Sequence, residues 1–483
     1  MLITDADVAG YPALVDVRCD GGTIVAMGRS LRRRRGEPVL AAAGGALLPG
    51  LHDHHIHMVA LAALHSSVQC GPPAVTNAAQ LAAALRADTG DGWLRGVAYH
   101  ESVAGVLDTA QLDRLRADRP VKIQHRSGKL WVVNSAAARR LELERHAGLP
   151  GIELDSAGRP NGRLWRLDGW MREQLARAGQ GGALPGLAGV SRLLASFGVT
   201  GCTDATPDNG EVAMAHFTEA AVRGELLQSV RVMGGATLPE PGTPQVRRGE
   251  RKLMLDESAL PEWDALCAAI GDAHRQGRAV AVHCVTRAEL VLALSALRAA
   301  GRHPGDRIEH ASLVPADCLP LLREVGVRVI TQPGFIHERG DQYLAAVPAG
   351  EWDDLYRCRA LLAQGVPLAG STDAPYGSPD PWVAMRAAVV RRSRAGVTLG
   401  PRETLTPEQA LALFTCAADT PGGPARAVAV GAVADLCLLH YPWQAARNRL
   451  TSADVRATLR SGALIHDGAR PSVPQRLRTT DAA

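Results

Sequence analysis

Short apolar runs that stop on a polar residue alternate, along most of the chain, with Ala-, Leu- and Arg-rich stretches of helical period. The runs are Ala46–His57, Leu94–His100, Val121–His125, Val199–Asp204, Val230–Gly234, Lys252–Leu255, Ala279–His283, Arg307–His310, Val327–Thr331 and Pro367–Asp373. Between them, periodicity predicts helices at Asn77–Ala87, Leu187–Phe197, Glu211–Arg223, Pro261–Gln276, Arg287–Ala300, Pro315–Glu324 and Leu355–Ala363. Strand and helix alternating on this scale predict βα units and a parallel sheet. The runs outnumber the eight strands of a (β/α)8 barrel, so some are expected to be excursions from it.

The two ends of the chain read differently. Ala13–Arg18, Thr23–Met27 and Val39–Ala42 are short β-like runs separated by Gly turns, and after a helix at Thr406–Ala417 the same character returns in Gly431–His440 and Val455–His466. The expected fold is therefore α/β: a (β/α)8 TIM-like barrel over 47–426, with a small β-sandwich domain formed from both chain termini, 1–46 and 427–475. The stretch 148–186, rich in Gly and Pro with weak periodicity, reads as an insertion of lid character.

Composition narrows the function. The 483 residues are 46% hydrophobic and 21% charged, which suits a large packed core and excludes a mainly disordered chain. Net charge is +4 from 53 basic and 49 acidic groups. That near balance gives no electrostatic support to a nucleic-acid or membrane partner, so the expected partner is a small-molecule substrate. The run Arg32–Arg35 reads as a solvated loop, and homo-oligomerisation leaves no readable trace in either direction. No apolar stretch reaches the ~18 residues of a membrane span, and the first residues lack the pattern of a signal peptide. Nine scattered cysteines without CxxC spacing read as reduced thiols, and the expected location is cytoplasmic. Only three lysines occur against fifty arginines, so each lysine is a candidate for a place that requires a primary amine.

Polar residues gather where the runs end, and in a parallel barrel the C-terminal strand ends converge on one mouth. His55 and His57, two apart, share one face of a strand, roughly 6–7 Å apart along the backbone. His283 ends AVAVH, His310 ends RIEH and Asp373 ends PLAGSTD. Taken singly, each has a plain reading: a hydrogen-bonded core histidine, or an N-cap before Ala374-Pro375. Taken together, four imidazoles and a carboxylate at successive strand ends fit a borderline divalent metal such as zinc. Lys252 opens the KLML run. It reads either as a lysine paired with Asp256 or Glu257, or as a CO2-derived carbamate able to bridge two metals; Lys129 is the second candidate.

The order HxH, Lys, His, His, Asp resembles the amidohydrolase superfamily. The longer phrases LLPGLHDHHIH, LWVVNSAA, FGVTGCTDA, AVAVHCV, RIEHAS, ITQPGF, AGSTDAPYGSPDPW and GAVADLCLL are similar to its subgroup around N-substituted formamide deformylase. The resemblance implies one or two zinc ions. His55 and His57 would hold the first, His283 and His310 the second, Lys252 would be the bridging carbamate of a binuclear site, and Asp373 both a ligand and the proton shuttle. It implies hydrolysis of a C–N bond in an amide, N-formyl or cyclic amide compound by metal-activated water. Where relatives carry an Asp-Gly-His-like loop this chain has His125-Arg126-Ser127-Gly128-Lys129, so its substrate contacts are expected to differ. His100, Glu101, His125, Arg126 and His337 are the candidates for such contacts. Asp204 reads as a pocket residue or an N-cap, Trp131 as packing. Two rival readings are a hydrolytic deaminase, with Glu101 or Glu309 as its strand-end carboxylate, and a catalytically silent barrel scaffold.

Overall fold

The computed structural model describes residues 1–468 except 73, 91 and 178–183, so the polar tail and part of the 148–186 stretch lie outside the described residues. The chain divides into two compact units, one of Met1–Met58 with Gly186–Ala483, the other Val59–Pro185.

The first unit contains eight parallel strands: β1 (Leu51–Ile56), β2 (Val199–Asp204), β3 (Ser229–Gly234), β4 (Val246–Met254), β5 (Val280–Cys284), β6 (Arg307–His310), β7 (Arg328–Thr331) and β8 (Leu368–Gly370). They pair in chain order from β1 to β8. Just beyond the strand ends, Asp373 N donates to His55 O and His57 N to Ala374 O, both at 2.8 Å, so the first and last strands meet and the barrel nearly closes. Helices return the chain between strands, as the apolar stripes require. Arg287–Ala300, for example, starts at a Thr286/Glu289 capping box and buries Leu290, Ala293, Leu294 and Leu297.

Charge crosses the barrel interior. Arg307 of β6 reaches His54 O of β1 at 2.6 Å and lies 3.9 Å from Glu250 of β4. Glu250 in turn accepts from Arg231 of β3 at 3.1 Å, and Arg231 pairs with Asp419 at 2.7 Å. Arg307 also clamps Glu309. Both Arg307 and Glu309 are fully buried, so each charge depends on its neighbour for compensation.

In the same unit the chain termini build two four-stranded sheets. One orders Thr23–Gly28, Val15–Asp20, Leu2–Ala6 and Val39–Ala41; the other orders Ala463–Asp467, Val455–Arg460, Leu436–Leu439 and Leu47–Pro49. Ile3, Val17 and Ile24 of the first share one core with Leu436, Leu438 and Leu459 of the second, as a sandwich requires. Arg18 and Glu37 form a 2.7 Å pair beside it.

The second unit is built on a six-stranded sheet in the order Ile152–Leu154, Pro160–Trp165, Leu130–Val133, Val121–His125, Leu94–Tyr99, Val68–Gln69. Two of the apolar runs, Leu94–Tyr99 and Val121–His125, pair in parallel here and are the excursions from the barrel series. Alternate residues of Leu130–Val133 enter different cores, Leu130 and Val132 one, Trp131 and Val133 the other. Among the described residues no helix is long and apolar enough to cross a membrane.

Candidate active site

Strand β1 is buried at every position and carries two sets of histidines on opposite faces. His52 and His54 are spent on packing: His52 Nε2 lies 3.0 Å from Thr203 Oγ1, and His54 Nε2 3.1 Å from Cys416 Sγ. Asp53 accepts from Thr372 N at 3.1 Å and from Thr372 Oγ1, tying β1 to the segment that carries Asp373. Burial pushes the Asp53 carboxyl up to about 7.

The other set meets the remaining strand ends. His55 and His57 ring centroids are 5.3 Å apart, His55 and His310 4.7 Å, His283 and His310 4.4 Å. Asp373 Oδ1 lies 3.5 Å from His55 Nε2 and 3.2 Å from His57 Nε2, and its Oδ2 lies 4.0 Å from His310 Nδ1. One donor atom each from His55, His57 and Asp373 fall within 4.8 Å of one another. Lys252 is buried, its Nζ 4.0 Å from Glu309 and without a hydrogen-bond partner. The six residues at 55, 57, 252, 283, 310 and 373 thus form one cup.

Backbone strain helps aim two of them. His310 has φ 69°, Ala311 45° and Asp373 55°. Such left-handed non-glycine residues cost ~1–3 kcal/mol each and persist only where the surroundings hold them. In β6 the break at His310 lets two adjacent side chains, Glu309 and His310, both serve the same region although a regular strand would send them to opposite faces.

Three of the four rings are held by a partner on Nδ1. His55 Nδ1 donates to the Glu309 carboxylate, His310 Nδ1 to Gln332 Oε1 at 2.8 Å, and His57 Nδ1 lies 2.9 Å from Thr206 Oγ1. Glu309 can only accept when ionised, and Gln332 uses its amide to donate to Ser371 Oγ at 2.9 Å. The Nδ1 protons of His55 and His310 are therefore fixed, leaving both Nε2 lone pairs for a ligand's role. Burial, reinforced for His55 by Lys252, holds the His55 and His310 imidazoles well below the ordinary value, and burial with Lys252 brings His283 down to about 4. All three are neutral at pH 7. Burial would raise the Asp373 carboxyl, but His57, His310 and Lys252 outweigh it and hold the group ionised. Burial lowers the Lys252 ammonium.

The donor chemistry fits a divalent cation. Buried polar atoms are normally hydrogen-bonded, yet Asp373 Oδ1, between two imidazole nitrogens, has no aligned donor. Imidazole nitrogens converging on an ionised carboxylate are the donors that zinc and similar ions take.

His100, Glu101, His125 and Arg126 belong to the second unit, where His125 Nε2 lies 3.1 Å and His100 Nε2 3.9 Å from Glu101 Oε2, and Arg126 is exposed. His337 sits on Gly334–Ala346 with Nδ1 3.2 Å from Arg392 O. Asp204 accepts from Met58 N at 2.7 Å and acts as a cap; Trp131 is buried packing. Glu309, a carboxylate of the deaminase reading, is committed to Arg307 and His55. Sequence reasoning missed Thr206, Gln332 and Tyr376, whose ring packs edge-on to His57 at 5.5 Å. Gln332 and Tyr376 lie within the phrases ITQPGF and AGSTDAPYGSPDPW, and Thr206 directly follows FGVTGCTDA, but nothing local marks them as partners.

Fold and donor set together define a parallel barrel with a metal-competent cup at its strand ends. The profile of the amidohydrolase family matches residues 39–466, and the chain belongs to that family of metal-dependent hydrolases. It is 23% identical over 488 residues to N-substituted formamide deformylase of Arthrobacter pascens, covering 89% of this chain and 90% of that one. Among solved structures it is similar to an uncharacterized metal-dependent hydrolase from Pyrococcus horikoshii, with a TM-score of 0.74 at 20% identity over 91% of this chain and 97% of the other. A second, from Pyrococcus furiosus, gives 0.73 at 21% identity over 91% and 98%. These likenesses concern the fold.

Proposed function

We propose that the chain hydrolyses a C–N bond of a small amide, N-formyl or cyclic amide compound. The observation that carries the reading is the cup: four imidazoles, an ionised carboxylate with an unpartnered oxygen, and a buried lysine at the ends of β1, β4, β5, β6 and beyond β8. His55, His57 and Asp373 would hold one zinc ion. His283 and His310 would hold a second, with Lys252 as a CO2-derived carbamate between the two. Such ions, when bound, polarise a carbonyl and make water acidic enough to react at neutral pH. Asp373 is ionised and so begins as a proton acceptor. Its Oδ1 faces the His55 and His57 nitrogens and its Oδ2 lies 4.0 Å from His310, and this carboxylate would take a proton from attacking water and return it to the departing nitrogen. Glu309, Thr206 and Gln332 keep the rings in the orientation this requires. The similarity to a formamide deformylase supports an N-formyl or N-acyl substrate, and nine free thiols support a cytoplasmic location.

The test joins two measurements on the purified full chain. Metal analysis is expected to find one or two equivalents of a divalent ion, and a hydrolysis screen over N-formyl, N-acyl and cyclic amides to find turnover that a chelator removes. A metal-replete protein inactive on the whole panel, or a protein that takes up no divalent ion, would overturn the reading.

A further inference from the structure

The helix Gly334–Ala346 follows β7, so it rises from the end of the barrel that carries the cup. Phe335 in its first turn is buried, and Arg339, one turn on, lays its guanidinium over that ring with Cζ 3.8 Å from the centroid. Arg339 Nη2 donates to Tyr376 O at 2.8 Å. Tyr376 is the residue whose ring stands against His57 at 5.5 Å, and its own N–H donates to Asp373 O at 2.8 Å. One residue therefore joins the guanidinium to two members of the cup. A second path agrees: Tyr343, the next turn of the helix, feels the charges of both Arg339 and Asp373.

Among the described residues Arg339 forms no ion pair. The adjacent Glu338 accepts from Ser378 N at 2.9 Å, while Arg394 and Arg339 bear on it as positive neighbours. A guanidinium has five N–H donors in a rigid fork suited to a carboxylate; one goes to the Tyr376 carbonyl and one to the Tyr343 hydroxyl, which leaves donors over for a ligand. Tyr376 as a residue is 58% exposed, which places an open surface beside the cation.

We propose that Arg339, with the exposed face of Tyr376, forms a subsite for a carboxylate on the substrate, so that the compounds hydrolysed are N-formyl or N-acyl amino acids rather than neutral amides. This deepens the proposed hydrolysis and rests on it for the identity of the scissile bond. The subsite itself can be read without turnover.

Two matched pairs test it. N-formylphenylalanine and N-formylphenethylamine differ only in the carboxylate and report on hydrolysis; their N-methanesulfonyl counterparts resist hydrolysis and report on binding by calorimetry. A charge-assisted hydrogen bond corresponds to a preference of about ten- to a hundredfold. The wild-type chain is expected to bind and process the carboxylate member better by that factor. Arg339→Gln should collapse the ratio towards one, and Arg339→Lys should keep part of it. Equal treatment of the two members by wild type, or a ratio that survives Arg339→Gln, overturns the subsite. A calorimetric preference that Arg339→Gln abolishes, without hydrolysis of either formyl compound, leaves the subsite standing and sinks the hydrolytic reading instead.

Discussion

Replacing Arg307 by methionine removes the cation that two buried carboxylates share. The guanidinium is fully buried, donates to both oxygens of Glu309, reaches His54 O at 2.6 Å and faces Glu250 at 3.9 Å. Methionine has similar length but no charge and no donor. Breaking a buried pair by deleting one partner costs ~3–5 kcal/mol, because the survivor is left uncompensated. One neighbour softens the loss: Arg231 remains 3.1 Å from Glu250. The expected destabilisation is thus near the lower end, about 3 kcal/mol, or about 5 °C in Tm for a unit of this size. The assay is thermal and urea unfolding, with hydrogen exchange at β6 to assign the loss to the barrel. Glu309→Gln in the same background removes the stranded charge, so the double variant should recover part of the stability, with a coupling of about 2 kcal/mol. A shift under about 1 °C, or a double variant no more stable than Arg307→Met, would refute the account of the interior charges as mutually dependent.

Three further outcomes are expected. Glu37 is held at about 2 by the Arg18 guanidinium and the Arg34 backbone amide, against an ordinary 4.5, so its contribution is complete above pH 4.5 and fades as pH falls towards 2. Glu37→Gln should flatten the acid limb of an unfolding-midpoint profile over that window, and an unchanged limb would contradict this. Trp382 is 1% exposed and its Nε1 donates to Phe197 O at 2.9 Å; Trp382→Ala should cost ~3–5 kcal/mol by denaturant titration, and Trp382→Phe only about 1. Asp373→Asn should cut turnover at least about 10²-fold while metal analysis still finds bound ion; comparable turnover would remove the proton-carrying role.

Much of the barrel is legible in the sequence because buried parallel strands are apolar runs that stop where the backbone reaches the mouth. Val280–Cys284 and Arg307–His310 read that way directly. The same physics makes Leu94–Tyr99 and Val121–His125 look identical to barrel strands: they too are buried parallel neighbours, and local pattern does not say in which sheet. β4 begins at Val246, six residues before the run that marks it, because Glu250 and Lys252 face a charged interior and Arg247 faces solvent. Of the cup, His55, His57, His283, His310, Lys252 and Asp373 announce themselves by type and position. Their orienting partners do not. Glu309 lies 254 residues from His55, Thr206 149 from His57, and Gln332 is an ordinary polar residue until His310 turns towards it.

The bent backbone at His310, Ala311 and Asp373 has a consequence for how such a protein can change. Those residues sit in conformations that the isolated chain disfavours, so the geometry of the cup is sustained by cohesion elsewhere: the packed helices and the salt-linked interior. Loosening that cohesion would let the donors relax apart before the barrel itself melts. Affinity of the cup for a divalent ion is therefore expected to fade ahead of global unfolding, and substitutions that toughen the distant scaffold should sharpen the cup without touching it.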